Sequence, residues 1–237
     1  MKAIRIKFFQ GTASFKEPLW NGTLLPTRPL PPYSTVIGMI HTLCQWGEPH
    51  RIKLSLTCTN EYLGSPQEAF NKGYIGGVTF GTINDEAKAR WSTIVEGAFD
   101  DYIGFTSRLY TTELLVDRYY TLHICVEDEN EFNQIFKAFN YPPVYPSLGR
   151  WEDSIRIDDV KIVEVKEELT HGKLNCYTWL PVKYSPVEGI GSVWKIPTYY
   201  KIVRDKRRFE YIRCYLGERG ALASYRLDED DEQLILI

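Results

Sequence analysis

The chain has 237 residues, 43% of them hydrophobic and 25% charged, with a net charge of −3. That length carries one large domain, or one domain with a small annex, and that balance supplies a core and excludes disorder. No apolar run reaches the roughly 20 residues of a membrane helix, and the charged start Met1–Lys7 lacks the apolar stretch of a signal peptide, so the chain reads as soluble and not exported. Residues 3–9 alternate, with Ile4, Ile6 and Phe8 on one side and Arg5 and Lys7 on the other, as in a half-buried strand. Residues 10–34 hold five of the thirteen prolines and read as an irregular connector. Ser34 is placed to cap a helix striped by Val36, Ile37, Ile40, Leu43 and Cys44, which Gly47 and Pro49 end. Alternation returns at 52–59 and 118–126. Phe132, Ile135, Phe136 and Phe139 stripe a second helix with acidic residues at its start, and Pro142 and Pro143 stop it. Residues 155–165 read as a further strand whose apolar parity shifts near Asp158-Asp159, the mark of a bulge.

The order strand, helix, strand, strand, helix, strand predicts an α+β fold with a ferredoxin-like (RRM-like) βαββαβ domain over residues 1–166. Both helices would cover the apolar sheet face. The other face would carry Arg5, Lys7, Lys53, Ser55, Thr57, Tyr119 and His123, the kind of surface RNA-recognition modules use, although their aromatic signature is absent. Residues 60–117 separate the second and third strands and are too long for a simple connection. Within them Gly73–Gly77 reads as a flexible loop and 102–117 as a hairpin or arm. Strand-like runs at 176–182, 193–203 and 208–216 suggest a small β-rich C-terminal subdomain over 167–237.

Charge is unevenly spread. Residues 1–60 hold seven Lys/Arg against two Asp/Glu, and residues 195–219 hold eight against three. Two basic regions on an acidic chain point either to a local polyanion site or to ordinary solvated faces. The five cysteines, at 44, 58, 125, 176 and 214, include no C-x-x-C and read as buried free thiols in a reducing compartment, the cytoplasm. None of the four histidines, at 41, 50, 123 and 171, has metal-ligand spacing with Cys, Asp or Glu, and no cofactor or metal is implied. The acidic tail Asp228–Glu232 precedes Leu234-Ile235-Leu236-Ile237, either a strand added to a sheet or a docking point.

Four segments carry a family resemblance: Ile4–Gly11, Pro29–Met39 with its Pro-Pro-Tyr-Ser-Thr helix start, Thr112–Tyr119, and Tyr145–Asp153 with its Leu-Gly-Arg loop. Together they resemble the CRISPR-associated protein of the fifth core family, a RAMP-superfamily subunit of type I Cascade complexes, over roughly residues 1–165, in a form that resembles the type I-B branch more than type I-E. The resemblance implies a protein that caps the 5′ handle of CRISPR RNA (crRNA). It also implies contacts with the Cascade backbone subunit and large subunit, only indirect contact with target DNA, and no membrane association. A thumb hairpin between the second and third strands is a feature of the family, and the 60–117 insertion falls at that place.

The RNA-binding candidates are Lys7, Gln10, Arg28, Tyr33, Ser34, Thr35, Arg108, Arg118, Gly149, Arg150 and Trp151. Gly149 and Arg150 combine close backbone approach with a guanidinium, or form an ordinary turn bearing an exposed arginine. Ser34 and Thr35 open a helix whose free amides favour an anion. Tyr33 either stacks on a base or packs against the sheet, and Arg28 either reaches phosphate or is solvated. Arg108 lies on the expected arm. Type I-C relatives are metal-independent endoribonucleases that use Tyr, Lys and His with a neighbouring Lys-His pair. No Lys-His dipeptide occurs here, so the expectation is a binding subunit without catalytic residues; the alternatives are such an endoribonuclease and an unrelated ferredoxin-like module for a small ligand or protein.

Overall fold

The alternation at 3–9 becomes strand β1 (Lys2–Ala13), with Ile4, Ile6 and Phe8 buried on one face. A computed structural model describes residues 1–17, 24–59, 70–83, 93–96, 102–184, 192–204 and 206–237, with the backbone alone described at 24, 70–83, 93–96 and 102–111. The further elements are β2 (Leu24–Leu25), helix α1 (Tyr33–Cys44), β3 (Lys53–Thr59), β4 (Phe70–Ile83), β5 (Thr93–Glu96), β6 (Tyr102–Cys125) and helix α2 (Glu129–Asn140). They are followed by β7 (Arg156–Glu164), β8 (Thr170–Lys173), β9 (Tyr177–Pro181), β10 (Trp194–Val203), β11 (Lys206–Gly217), β12 (Leu222–Leu227) and β13 (Gln233–Leu234). Neither helix is long and apolar enough to cross a membrane.

The main sheet runs β10-β11-β9-β3-β6-β1-β7, antiparallel along that path. β6 sits centrally, with Arg5 and Ser55 flanking His123 in register. The register of β1 on β7 shifts between Lys7, opposite Asp159, and Phe8, opposite Ile157; this is the irregularity that the Asp158-Asp159 parity change predicts. The helices cover one face. Val36, Ile37, Ile40 and Leu43 from α1 and Phe132, Ile135 and Phe139 from α2 join Ile4, Ile6, Phe8, Leu54, Leu56, Leu122 and Ile124 in one core. Each such fully buried aliphatic or aromatic side chain contributes roughly 1.5–3 kcal/mol.

Several expectations need correction. The cap of α1 is Pro32, not Ser34: its carbonyl accepts from the amides of Thr35 and Val36, and no side chain caps the turn. The proline's fixed φ already sets the helix entry, so a hydroxyl cap is dispensable. Residues 102–117 do not fold into a hairpin by themselves. They are the first part of one 24-residue strand, β6, paired from Tyr102 to Leu115 with β4. Gly73–Gly77, read as a loop, is strand within β4, because every one of its residues finds a ladder partner between Arg108 and Thr112. Of the 60–117 insertion, residues 60–69, 84–92 and 97–101 lie outside the described residues. In the stretch 167–237, β9 joins the main sheet at β3 and carries β11 and β10 outward, whereas β8, β12 and β13 form a second sheet.

The largest departure concerns the polar sheet face. It is open only at Lys53 and Tyr119: Arg5, Ser55 and His123 are buried beneath the chain's own C-terminal segment, and Thr57 is buried as well. Asp228 is completely buried there. One carboxylate oxygen accepts from an Arg5 guanidinium nitrogen at 2.8 Å and from His123 Nε2 at 3.1 Å. The other accepts from the backbone amides of Asp230 and Glu232, each at 2.9 Å. Arg5 also pairs with Asp230 at 2.8 Å, and Lys7 pairs with Glu232. Beyond these, the Ile235 amide donates to Ser55 Oγ and the Ile237 amide to the Leu54 carbonyl, while Leu234 and Leu236 pack on Ala3, Cys125 and Val163. Of the two alternatives for the tail, a strand added to a sheet is the one realised, at Gln233–Leu234, where β13 pairs with β12.

Burial raises the Asp228 pKa, but the bonds from His123, the Glu232 amide and Arg5 outweigh it and hold the carboxyl well below the usual carboxylate range. A depressed folded-state pKa contributes stability that is present above the unfolded value, about 3.9, and lost as pH falls below it. Asp228→Asn should therefore destabilise the protein by about 3–5 kcal/mol at pH 7, because Arg5 loses a buried partner. In urea titrations between pH 6 and pH 2, the gap between parent and variant should shrink as pH falls through the carboxylate range; a constant gap would mean that Asp228 does not carry this stability.

Candidate functional site

The loop after α2 is fixed by a second buried carboxylate. Pro142 and Pro143 prevent the helix from continuing, and the chain turns back through Tyr145–Ile155. Asp153 is fully buried and accepts from the Ser14 amide at 3.1 Å, the Arg150 amide at 3.2 Å and Arg150 Nε at 2.9 Å. A second guanidinium nitrogen of Arg150 bonds its other oxygen at 2.5 Å. Gln10, also fully buried, donates to the carbonyls of Leu148 at 2.7 Å and Asp153 at 3.0 Å. Gly149 has φ +108°, and a Cβ there would stand 3.2 Å from both Asp153 Oδ2 and a ring carbon of Phe15. Glycine is required for both reasons, conformation and space.

This loop forms one wall of an open groove of about 580 Å³. The opposite walls are the first turns of α1, with Ser34, Thr35 and Gly38, and the β10–β11 hairpin, with Tyr200, Arg207 and Phe209; Tyr145 and Gly149 face them from the loop. Tyr145 is 79% exposed. The Arg207 guanidinium lies 4.9 Å from the centre of the Tyr200 ring. Farther along, Trp46 stacks on His50 at 4.0 Å, and His50 Nδ1 lies 2.7 Å from Glu131 Oε1. His41 meets Trp46 edge-on. Burial, with the neighbouring His50, holds the His41 pKa below its ordinary value, so the ring is neutral at pH 7. The groove thus offers the positive end of α1, one guanidinium and several rings, the components that hold phosphate and stack bases.

Of the residues singled out in the sequence, Ser34, Thr35 and Gly149 meet in this groove, with Arg150 and Trp151 on the same loop. Trp151 is 89% exposed. Arg150 is committed to Asp153 and Glu152. The others lie elsewhere. Tyr33 is fully buried and donates its hydroxyl to the Trp179 carbonyl at 3.1 Å, which is the packing alternative. Arg28 is buried and gives two bonds to Glu17, at 2.9 and 3.1 Å. Arg118 is buried beside Cys58, whose thiol burial pushes up to about 11. Lys7 faces the tail, and the side chain of Arg108 lies outside the described residues. In the sequence Arg207 reads as part of the basic run Lys201, Arg204, Lys206, Arg207 and Arg208, either a contact to RNA or DNA or a turn of solvated charges, whereas Trp46, Tyr145, Tyr200 and Phe209 were missed. The alternation of rings and cations along 195–213 was the available signal.

The fold defined by this sheet and its two helices is that of a chain in a CRISPR RNA-guided surveillance complex, with a TM-score of 0.51 at 15% sequence identity over 93% of this chain and 91% of that one. A Cas protein crystal structure aligns with a TM-score of 0.46 at 11% identity over 92% and 95% of the two chains. A Type III-B Cmr-beta complex bound to cognate target RNA and AMPPnP aligns at 0.44 and 12% identity over 94% and 86%. No protein-family model matches the chain, and no curated protein matches it in sequence.

The Asp153 hub changes what an arginine substitution should do. An exposed turn arginine could be replaced by alanine with little change in stability. Removing the guanidinium instead strands a buried carboxylate, at a cost of about 1–3 kcal/mol. Arg150→Lys should restore only part of this, because an ammonium cannot reproduce the two-pronged contact. Chemical denaturation of the three proteins checks the order parent, lysine, alanine; equal midpoints would mean that the hub does not depend on Arg150.

Proposed function

We propose that this chain is an RNA-binding subunit of a type I-B-like Cascade, a RAMP protein of the fifth core family that caps the crRNA 5′ handle. Its partners are then the crRNA, the Cascade backbone subunit and the large subunit, with target DNA reached indirectly. The observation that carries the reading is the groove: the start of α1 at Ser34 and Thr35, a glycine loop locked by Asp153, and the rings of Tyr145, Tyr200 and Phe209 line it together with Arg207. A single strand with splayed bases fits such a lining, because phosphate meets the positive helix start and the guanidinium while bases meet rings. The strand order β7-β1-β6-β3, with α1 and α2 as crossovers, supports a ferredoxin-like core. The β4–β6 ladder is the part we assign as the thumb.

On this reading the protein is not an enzyme. A second reading, a metal-independent endoribonuclease, is favoured by one observation: His41 is held neutral at the groove, the state of a general base. Incubating the purified chain with repeat RNA in EDTA separates the two. We expect intact RNA; cleavage that disappears in His41→Ala would establish the second reading.

The binding claim is tested in the assembled complex. Scrambling the 5′ handle of the crRNA should lower the occupancy of this subunit, measured by native mass spectrometry. Tyr145→Ala should weaken handle binding roughly ten-fold, the scale of one lost base stack. Unchanged occupancy with a scrambled handle would overturn the assignment.

A further inference from the structure

The two basic regions of the sequence have opposite fates. In the first, Arg5 pairs with Asp228 and Asp230, Lys7 with Glu232, Arg28 with Glu17, Arg51 with Glu210 and Lys53 with Glu127. Five of the seven cations of that region are thus neutralised from within. In the second, Lys195, Arg207 and Arg213 have no carboxylate partner among the described residues, and all three are exposed. Their charge is left for something outside the chain.

The β10–β11 register sets these cations among rings. Lys195 is opposite Arg213, Pro197 opposite Tyr211, Tyr200 opposite Phe209 and Ile202 opposite Arg207. Residues facing each other across an antiparallel ladder share a face, as do alternate residues along a strand. One face of the hairpin therefore presents Lys195, Arg213, Tyr211, Phe209, Tyr200 and Arg207 together. The Lys195 ammonium lies 4.5 Å from the centre of the Tyr211 ring, repeating the Arg207–Tyr200 arrangement. Tyr211 is 50% exposed. The only acid of the two strands, Glu210, is on the opposite face, paired with Lys201 at 3.0 Å. The hairpin is also free to be approached: β11 pairs with β9 only from Cys214 to Gly217, and β10 is the edge of the sheet.

We infer that this face is a platform for single-stranded nucleic acid, bound without sequence preference and continuing outward from the groove. The inference concerns Lys195, Tyr211 and Arg213, which lie beyond the groove lining, and does not depend on handle recognition within it. Rings two residues apart on a strand are roughly 6.6–6.8 Å apart along it. An unstacked strand can place successive bases on such rings, whereas duplex bases, stacked about 3.4 Å apart, offer them no faces. Alternating cations beside the rings suit the phosphates between the bases. An acidic protein would satisfy the cations but would leave the exposed rings without partners, so nucleic acid is the occupant the face favours.

The experiment uses the full chain and a fluorescein-labelled 20-mer of deoxythymidine, read by anisotropy. The parent should bind it in preference to a 20-base-pair duplex and to polyglutamate. Tyr211→Ala should weaken binding roughly ten-fold, with Tyr211→Trp retaining it. Lys195→Gln with Arg213→Gln should weaken binding and reduce the slope of log affinity against log salt by about 1.4, at about 0.7 per cation on a single strand. These positions are exposed, so the variants should melt like the parent, and crRNA handle binding should survive in them. Absence of binding by the parent, equal binding of duplex or polyglutamate, or indifference to all of these substitutions would overturn the platform. Loss of handle discrimination in Tyr145→Ala with thymidine binding retained would bear on the groove alone.

Discussion

The arrangement of this protein depends on where one carboxylate is buried. Asp228 lies under the polar face of the central strands with Arg5 and His123 bonded to one of its oxygens and two backbone amides to the other. An isolated arginine at 5% exposure would be very costly; with Asp228 in place it becomes a fixed point across β1 and β6. The tail that delivers Asp228 then has its direction set, and Leu234 and Leu236 follow onto Ala3, Cys125 and Val163. Around Arg5, Ser55 and His123 the central strands are consequently covered on both faces, by helices on one and by the C-terminal segment on the other. The open groove lies at the rim of this covered region.

A second buried carboxylate organises that rim. Asp153 holds the Tyr145–Ile155 loop to Ser14 of the connector that follows β1, while Gln10 holds the same loop through backbone carbonyls. The result places Gly149 and Tyr145 across from the start of α1 and the β10–β11 hairpin. Both buried acids join a local turn to a distant strand or connector: Asp228 accepts from Arg5 and His123 as well as nearby amides, and Asp153 accepts from Ser14 as well as Arg150, so removing a donor leaves a charge less compensated. The thiols add nothing to this chemistry. All five cysteines are free, and burial pushes Cys44, Cys176 and Cys214 up to about 12.

Much of the framework was legible because it obeys short-range periodicity. The alternation in β1 and β3 and the stripes of α1 and α2 are local signals of which face is apolar. The bulge at Asp158-Asp159 was visible as a parity change for the same reason. What alternation does not reveal is what covers the polar side. Arg5, Ser55 and His123 read as a solvent face, and only a contact across more than a hundred residues makes them buried. Charge counting failed similarly at the N-terminal region, since apart from Glu17 the neutralising acids come from residues 127, 210, 228, 230 and 232. Gln10, Arg28 and Arg118 were chosen for their polarity, but their bonds are internal. The hairpin face was hidden because a register, not a sequence run, decides that Lys195 stands opposite Arg213.

The central claim is that nucleic acid meets the groove and the hairpin while the tail seals the sheet. Photo-crosslinking of bound single-stranded RNA, with the attachment sites read by peptide mass spectrometry, tests this most directly. The account predicts crosslinks at Tyr145, Tyr200, Phe209 and Tyr211. Crosslinks concentrated at Lys53, Tyr119 and His123 instead would mean that the tail leaves the sheet and that the polar face is the binding surface, contradicting the account.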